Sequence, residues 1–285
     1  AAITRMLYGA TPDRYRRFYA SLLRRTDEHL GHVLNTIDET GLSKNTDLIY
    51  TSDHGELLGA HGGLHQKFYN AFEETLRVPM FLRRANGTGA GTECEHLTTH
   101  LDLVPTILAT MGIAHHTTPT GFSRTPPLGG SDLSTLHSDR PSYFVTFDHI
   151  LGGESPEALV GRAIPKLGAA LPMRYEPPTT PNRAVEAIID RVTIDGVQTG
   201  PWKLIRYFNP DHPHASHDDE WSLYELGSDP CEQHDRVSDT ACSTIRTTLH
   251  SRLTAARIAS SWSSGTTGRD QPSSCHPDNE HRCKT

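Results

Sequence analysis

A carboxylate and an imidazole stand side by side where an apolar run stops. Leu48, Ile49, Tyr50 and Thr51 have the composition of a strand, and Ser52, Asp53, His54 and Gly55 end it with polar side chains and a glycine. In an open α/β sheet the carboxyl rim of a strand is where ligands bind, because the loops that follow leave a crevice with free backbone groups. An Asp-His pair there is half of a metal site. His61, His65 and Lys67 follow in a loop bearing Gly59, Gly62 and Gly63, ahead of a segment of helical composition. From that loop an imidazole and an ammonium could reach back over the pair, and Lys67 is a compact positive charge suited to a sulfate or phosphate oxygen. Any one of these histidines alone reads as a solvated loop residue. The whole set at this spacing reads as a site.

Ser52-Asp53-His54-Gly55-Glu56, His61-Gly62, Lys67, Glu73-Glu74 and Arg77-Val78-Pro79 resemble the second signature block of the sulfatase family, within the alkaline phosphatase superfamily. Asp102-Leu103-Val104-Pro105-Thr106-Ile107-Leu108 resembles the family's Asp-x-x-Pro-Thr helix. Leu223-Tyr224-Glu225-Leu226 with Asp229-Pro230-x-Glu232 resembles its C-terminal block. The blocks come in the family's order, and the resemblance covers Ala10 to Ile258. It implies an α/β fold, an alkaline-phosphatase-like mostly parallel sheet flanked by helices and present here in part, with a small C-terminal α+β subdomain of antiparallel strands and a helix. It implies a sulfuric ester hydrolase acting on a small-molecule or glycan sulfate ester.

By the same resemblance Asp53 and His54 are metal ligands, and Lys67 is both substrate-binding and catalytic, through its contact with the sulfate group. His65 is a candidate for substrate contact or leaving-group protonation, and His61 a weaker one. The family's divalent metal is usually calcium. An imidazole at position 54, where many relatives have Asn, is softer than calcium prefers and leaves manganese or zinc open.

The family's nucleophile is a formylglycine made from the Cys or Ser of Cys/Ser-x-Pro/Ala-x-Arg, and that pentapeptide does not occur here. Cys242-Ser243-Thr244-Ile245-Arg246 has the Cys-to-Arg spacing, but it lacks the Pro or Ala and lies in a helical pattern. The resemblance therefore expects the formylglycine and its paired Asp ligands upstream of Ala1, and reads this chain as the C-terminal portion of a sulfatase. A phosphodiesterase or phosphonate monoester hydrolase of the same superfamily is the alternative, because a metal and a lysine serve phosphate as well as sulfate. A non-catalytic module that keeps the metal half-site is a further one.

These side chains need elements to carry them. Thr11 and Pro12 signal a helix start, and Tyr15, Phe18, Tyr19, Leu22, Leu23, Leu30, Val33, Leu34 and Ile37 recur at spacings of three and four up to a stop at Gly41. The Leu48 strand, apolar on both faces, should sit centrally in a parallel sheet beside a strand at Val78 to Leu82. Asp102 is expected to cap a helix that runs to Met111. Residues 115 to 141 have connector composition. Strands are expected at Tyr143 to Thr146, Val185 to Ile194, Trp202 to Phe208 and Ser222 to Leu226, with a helix from Cys242 to Ile258 covering one face of an antiparallel sheet. This divides the chain into 1–140, part of the catalytic domain; 141–258, a small subdomain; and 259–285, a tail of disorder-prone composition.

Length and composition fit this division. A chain of 285 residues at 35% hydrophobic content can bury a core, and a net charge of -7 without a basic stripe argues against nucleic acid as a partner. No membrane segment and no signal peptide are seen. His212, His214 and His217 with Asp218 read as a hydrophilic loop, and Cys275, His276, His281 and Cys283 as a solvated tail. Glu73 and Glu74 are adjacent on a helix, so they are expected to point apart rather than share a proton.

Overall fold

The computed structural model describes residues 12–64, 67, 70–94, 96–113, 140–146, 184–210 and 219–259. Residues 115–139 of the expected connector, the His212 cluster, His65 and the cysteine-bearing tail lie outside the described residues.

Helix α1 runs Pro12–Glu39. Proline's fixed φ suits the first turn, and Gly41 at φ 72° takes the left-handed conformation that ends the helix. Tyr15 is buried, whereas Phe18, Leu22, Leu23 and Val33 of the apolar stripe are exposed. Arg16 Nε donates to Leu58 O at 2.9 Å, which ties the helix to the loop that follows Asp53 and His54.

Strand β1 (Leu48–Thr51) pairs antiparallel with β2 (Met80–Arg83), Leu48 opposite Arg83 and Thr51 opposite Met80. The parallel reading of these two strands is therefore corrected. A parallel return needs a long crossover, whereas the described residues between them hold two helical turns, α2 (Ala60–Gly63) and α3 (Glu73–Leu76), each four residues long. Among the described residues β1 has this one neighbour, and all four of its residues are half-buried rather than central.

Helix α4 (Leu103–Thr110) follows a 3-10 turn, His100–Asp102. The Asp102 side chain does not cap α4. It reaches back to accept the Thr99 backbone N–H at 2.8 Å and pairs with Arg140, while Thr106 Oγ1 donates to Asp102 O at 2.6 Å. A fully buried carboxylate needs such donors, and an arginine from a later segment satisfies it better than a helix end alone.

The second sheet has the order β3-β4-β5-β6, antiparallel throughout, from Ser142–Thr146, Ala184–Ile194, Val197–Phe208 and Glu220–Glu225. Side chains alternate between its faces. Ile188, Val192, Trp202, Leu204 and Leu223 pack against Ile245, Leu249, Leu253 and Ala256 of helix α5 (Ser243–Ala259). The opposite face carries Val185, Ala187, Ile205 and Tyr224, and Ala71, Phe72 and Leu76 cover it. The sheet is thus covered on both faces, not on one, because the segment before β2 supplies a second apolar layer.

That segment also fixes the turn after β1. Gly55 N donates to Thr75 O at 2.8 Å, and a Cβ at position 55 would lie 1.9 Å from Glu74 O. The two backbones meet where no side chain fits.

Two predictions follow from this packing. Leu249→Ala and Leu253→Ala, at positions with 0% exposure, should each cost about 2–5 kcal/mol in denaturant unfolding, while Thr247→Ala on the open side of α5 should change stability by less than about 1 kcal/mol. Gly55→Ala should break the contact with Glu74 and lower the melting temperature even though Gly55 is not in the apolar core; an unchanged melt would mean that the turn and α3 do not touch in solution.

Candidate functional site

The β1 run ends at Thr51, and the turn that follows projects Asp53 into solvent, with 82% of its side chain exposed against 36% for His54. Asp53 Oδ1 accepts the His54 backbone N–H at 3.0 Å, and Ser52 Oγ donates to His54 O at 3.0 Å. These bonds fold the turn on itself and leave Asp53 Oδ2 free to face His54 Nε2 at 3.5 Å.

His54 Nδ1 lies 2.8 Å from Gly55 O. A carbonyl oxygen only accepts, so Nδ1 carries the proton, and in the neutral imidazole Nε2 is left as a lone pair. The donor set of this turn is therefore one carboxylate oxygen and one imidazole nitrogen, facing each other. Two acceptors in that relation fit a divalent cation between them. The Asp53 carboxyl is held below the ordinary aspartate range: burial, the largest single influence, pushes it up, and it is outweighed by the His54 backbone N–H, the His54 charge and the Lys67 ammonium together.

Lys67 is half-buried, and its ammonium is the last of the influences that lower the Asp53 carboxyl. His61 does not join them. Its ring stacks on Phe72 at 3.6 Å and 7°, and Nε2 meets Glu74 Oε2 at 3.1 Å. Glu73 pairs with Lys203 while Glu74 meets His61, so the two glutamates take different partners.

Behind the turn lies a group of charges that motif reading left unassigned. Lys203, on β5 with 0% exposure, places Nζ 2.6 Å from Glu73 Oε1, 2.9 Å from Glu232 Oε1 and 2.9 Å from Ala71 O. The contact to Ala71 O is a directed hydrogen bond, whereas the two carboxylate contacts are close but poorly aligned, so they act mainly as ion pairs. Burial pushes the Glu232 carboxyl above the ordinary glutamate range, against the pull of Lys203. Glu232 Oε2 accepts the Glu73 backbone N–H at 2.7 Å.

His61, Glu74 and Glu232 bring possible ligand atoms within 4.8 Å of one another. The Lys203 ammonium already balances Glu232, so a second cation there would face like charge at contact distance. We assign this group to structure. The signal for it in the sequence was a lone lysine inside the apolar run Trp202-Lys203-Leu204-Ile205, since a buried ammonium demands carboxylates nearby.

Cys242 is buried, and burial pushes its thiol up, against the pull of Arg236. Arg246 is spent on Val237 O. Neither the thiolate nor the arginine of an activated nucleophile is available there, in agreement with the sequence reading.

Residues 4–113 match the family model described as Sulfatase. An N-acetylglucosamine-6-O-sulfatase of Bacteroides thetaiotaomicron is 25% identical over 219 residues, 77% of this chain and 31% of that protein. An arylsulfatase of Chlamydomonas reinhardtii is 31% identical over 241 residues, 81% of this chain and 33% of that protein. Among solved structures, BT4656 in complex with its substrate D-glucosamine-2-N,6-O-disulfate is similar with TM-score 0.60 at 22% identity, over 87% of this chain and 41% of that one. The likeness shows a shared alkaline-phosphatase-like α/β fold, present in part. This chain spans about a third of the length of the curated relatives it matches. Over residues 4–113, the stretch that contains Asp53, His54 and Lys67, the chain is similar to sulfatases.

Proposed function

We propose that this chain supplies the cation-binding and anion-binding half of an active site that hydrolyses sulfate esters of glycans or small molecules. Asp53 and His54 hold the divalent cation, Ca2+ first, with Mn2+ or Zn2+ admitted by the imidazole. Lys67 binds the sulfate group. The observation that carries this reading is the pair of facing acceptors, Asp53 Oδ2 and His54 Nε2, 3.5 Å apart, with Nδ1 tied to Gly55 O. We further assign 1–140 to the catalytic domain and 141–258 to the small subdomain.

When bound, the cation would gather ester oxygens and stabilise the charge that grows on them. The chain's own residues do the rest of what is proposed here. Asp53 contributes a carboxylate kept ionised by its neighbours. Gly55 O holds the imidazole in the tautomer that presents Nε2. Lys67 offers N–H donors to the sulfate group at its bridging ester oxygen, whose negative charge rises as the S–O bond breaks, so its attraction is stronger in the transition state than in the ground state. His65 is retained as the candidate that protonates the leaving alcohol.

Titration of residues 1–285 with Mn2+ and Ca2+ tests the cation site. Asp53→Ala should weaken binding about 10- to 100-fold. His54→Asn should shift the preference from Mn2+ toward Ca2+, because an amide oxygen replaces a nitrogen. Undiminished binding in Asp53→Ala would remove the carboxylate from the ligand set. In the active enzyme, Lys67→Ala should lower kcat/KM on an aryl sulfate at least about 100-fold with little change in melting temperature, and Lys67→Arg should recover only part. Turnover of a phosphodiester above that of the matched sulfate would reassign the substrate class, and wild-type kinetics in Lys67→Ala would return that residue to solvent.

A further inference from the structure

The cation-binding turn is held from behind by the C-terminal sheet, through a short run of backbone. Gly55, directly after His54, donates its N–H to Thr75 O. The segment that ends at Thr75 is fixed at three points. Lys203 Nζ donates to Ala71 O at 2.9 Å, Glu232 Oε2 accepts the Glu73 N–H at 2.7 Å, and buried Asn70 Oδ1 accepts from Phe72 N at 3.1 Å and Thr75 Oγ1 at 2.8 Å. Two of these three anchors come from far away in sequence, from β5 and from the loop after β6. We propose that Lys203 and Glu232 are positioning residues for the Asp53-His54 turn: they clamp the Ala71–Thr75 backbone that holds Gly55, and so set where the two ligand atoms stand.

The geometry favours positioning over bulk stabilisation. An ammonium with 0% exposure is among the least economical ways to fill space on a sheet face whose neighbours are Val185, Ala187 and Ile205. What the ammonium and Glu232 provide, and a leucine or methionine would not, is direct bonding to backbone groups of the 71–75 segment. The requirement is strict at the far end, because Gly55 and Glu74 meet at a distance that excludes a Cβ. A small retreat of the segment would lengthen the Gly55 N–H bond, and the turn that carries Asp53 and His54 would lose its support.

The proposal rests on the cation-binding reading only for what the turn does, and the test separates the two. Residues 1–285 would be compared as wild type, Glu232→Ala, Glu232→Gln and Lys203→Met, with hydrogen exchange at the Gly55 and Glu73 amides, exchange at the Leu204 amide as an internal standard, Mn2+ affinity and melting temperature. Glu232→Ala and Lys203→Met should speed exchange at Gly55 about tenfold relative to Leu204, the effect of one lost charge-assisted bond, and should weaken Mn2+ binding in parallel. Glu232→Gln keeps an oxygen for the Glu73 N–H and should stay within about threefold of wild type, since losing the charge alone leaves that bond in place. If the variants lower the melting temperature while the Gly55 to Leu204 ratio and the Mn2+ affinity hold, the clamp is overturned and the network is ordinary stabilisation. Glu232→Gln as damaging as Glu232→Ala would overturn it too, because the backbone acceptor would then be immaterial. Should Glu232→Ala fail to fold, Lys203→Met and Glu232→Gln still decide. Gly55 exchange requires no bound metal, so an Asp53→Ala result that sinks the cation site leaves this measurement valid.

Discussion

The ammonium of Lys203 is the constraint around which the described parts of this protein are arranged. It has no exposure, and it sits between the Glu73 carboxylate and the Ala71 carbonyl oxygen, the latter 132 positions away in sequence, and the carboxylate of Glu232 from the loop after β6. Taking an ammonium from water is unfavourable by several kcal/mol even after relaxation, and only well-placed partners offset it. Folding therefore cannot leave the 70–76 segment off the sheet without stranding a charge. Covering that face with Ala71, Phe72 and Leu76 satisfies the charge and buries the apolar residues in one step.

The same arrangement joins two sheets that, among the described residues, share no strand pairing. The β1-β2 pair is small, and two strands alone hold little free energy in water. The four-stranded sheet has α5 on one side and the 71–76 layer on the other, and most of the buried side chains belong to it. Rigidity thus resides in the C-terminal sheet while the candidate ligands reside on the turn after β1. The Gly55 to Thr75 bond carries that rigidity across. A second buried charge group, Glu186 with Arg206 at 2.8 Å and with Arg257, serves the other face of the sheet in the same manner, fixing α5 where Lys203 fixes the loop.

Legibility in the sequence followed the range of the interactions. Helix α1, its stop at Gly41 and the strands of the second sheet were readable because periodicity and turn residues act over a few positions. The turn with Asp53 and His54 was readable for the same reason, since a polar cluster after an apolar run is a local event. The antiparallel pairing of β1 and β2 was not, because strand direction depends on what lies between the strands, and the described residues of the intervening segment hold two single turns. The side chain of Asp102 was misassigned because its partner, Arg140, is remote. Lys203 went unnoticed as a positioning group for that reason as well: its meaning depends on Glu73 and Glu232, and neither spacing nor composition joins the three.

Residue type alone settles little here, and environment settles the role. Lys67 and Lys203 carry the same ammonium. Lys203 is enclosed, has three oxygen partners within 2.9 Å, and has no surface left for a ligand. Lys67 is half-buried rather than enclosed, and its charge helps to lower the Asp53 carboxyl. The histidines divide in the same way. His61 is committed to Glu74 and to the face of Phe72, whereas His54 spends Nδ1 on a backbone carbonyl and keeps Nε2. In each pair the inward member consumes its bonding capacity in holding the loop.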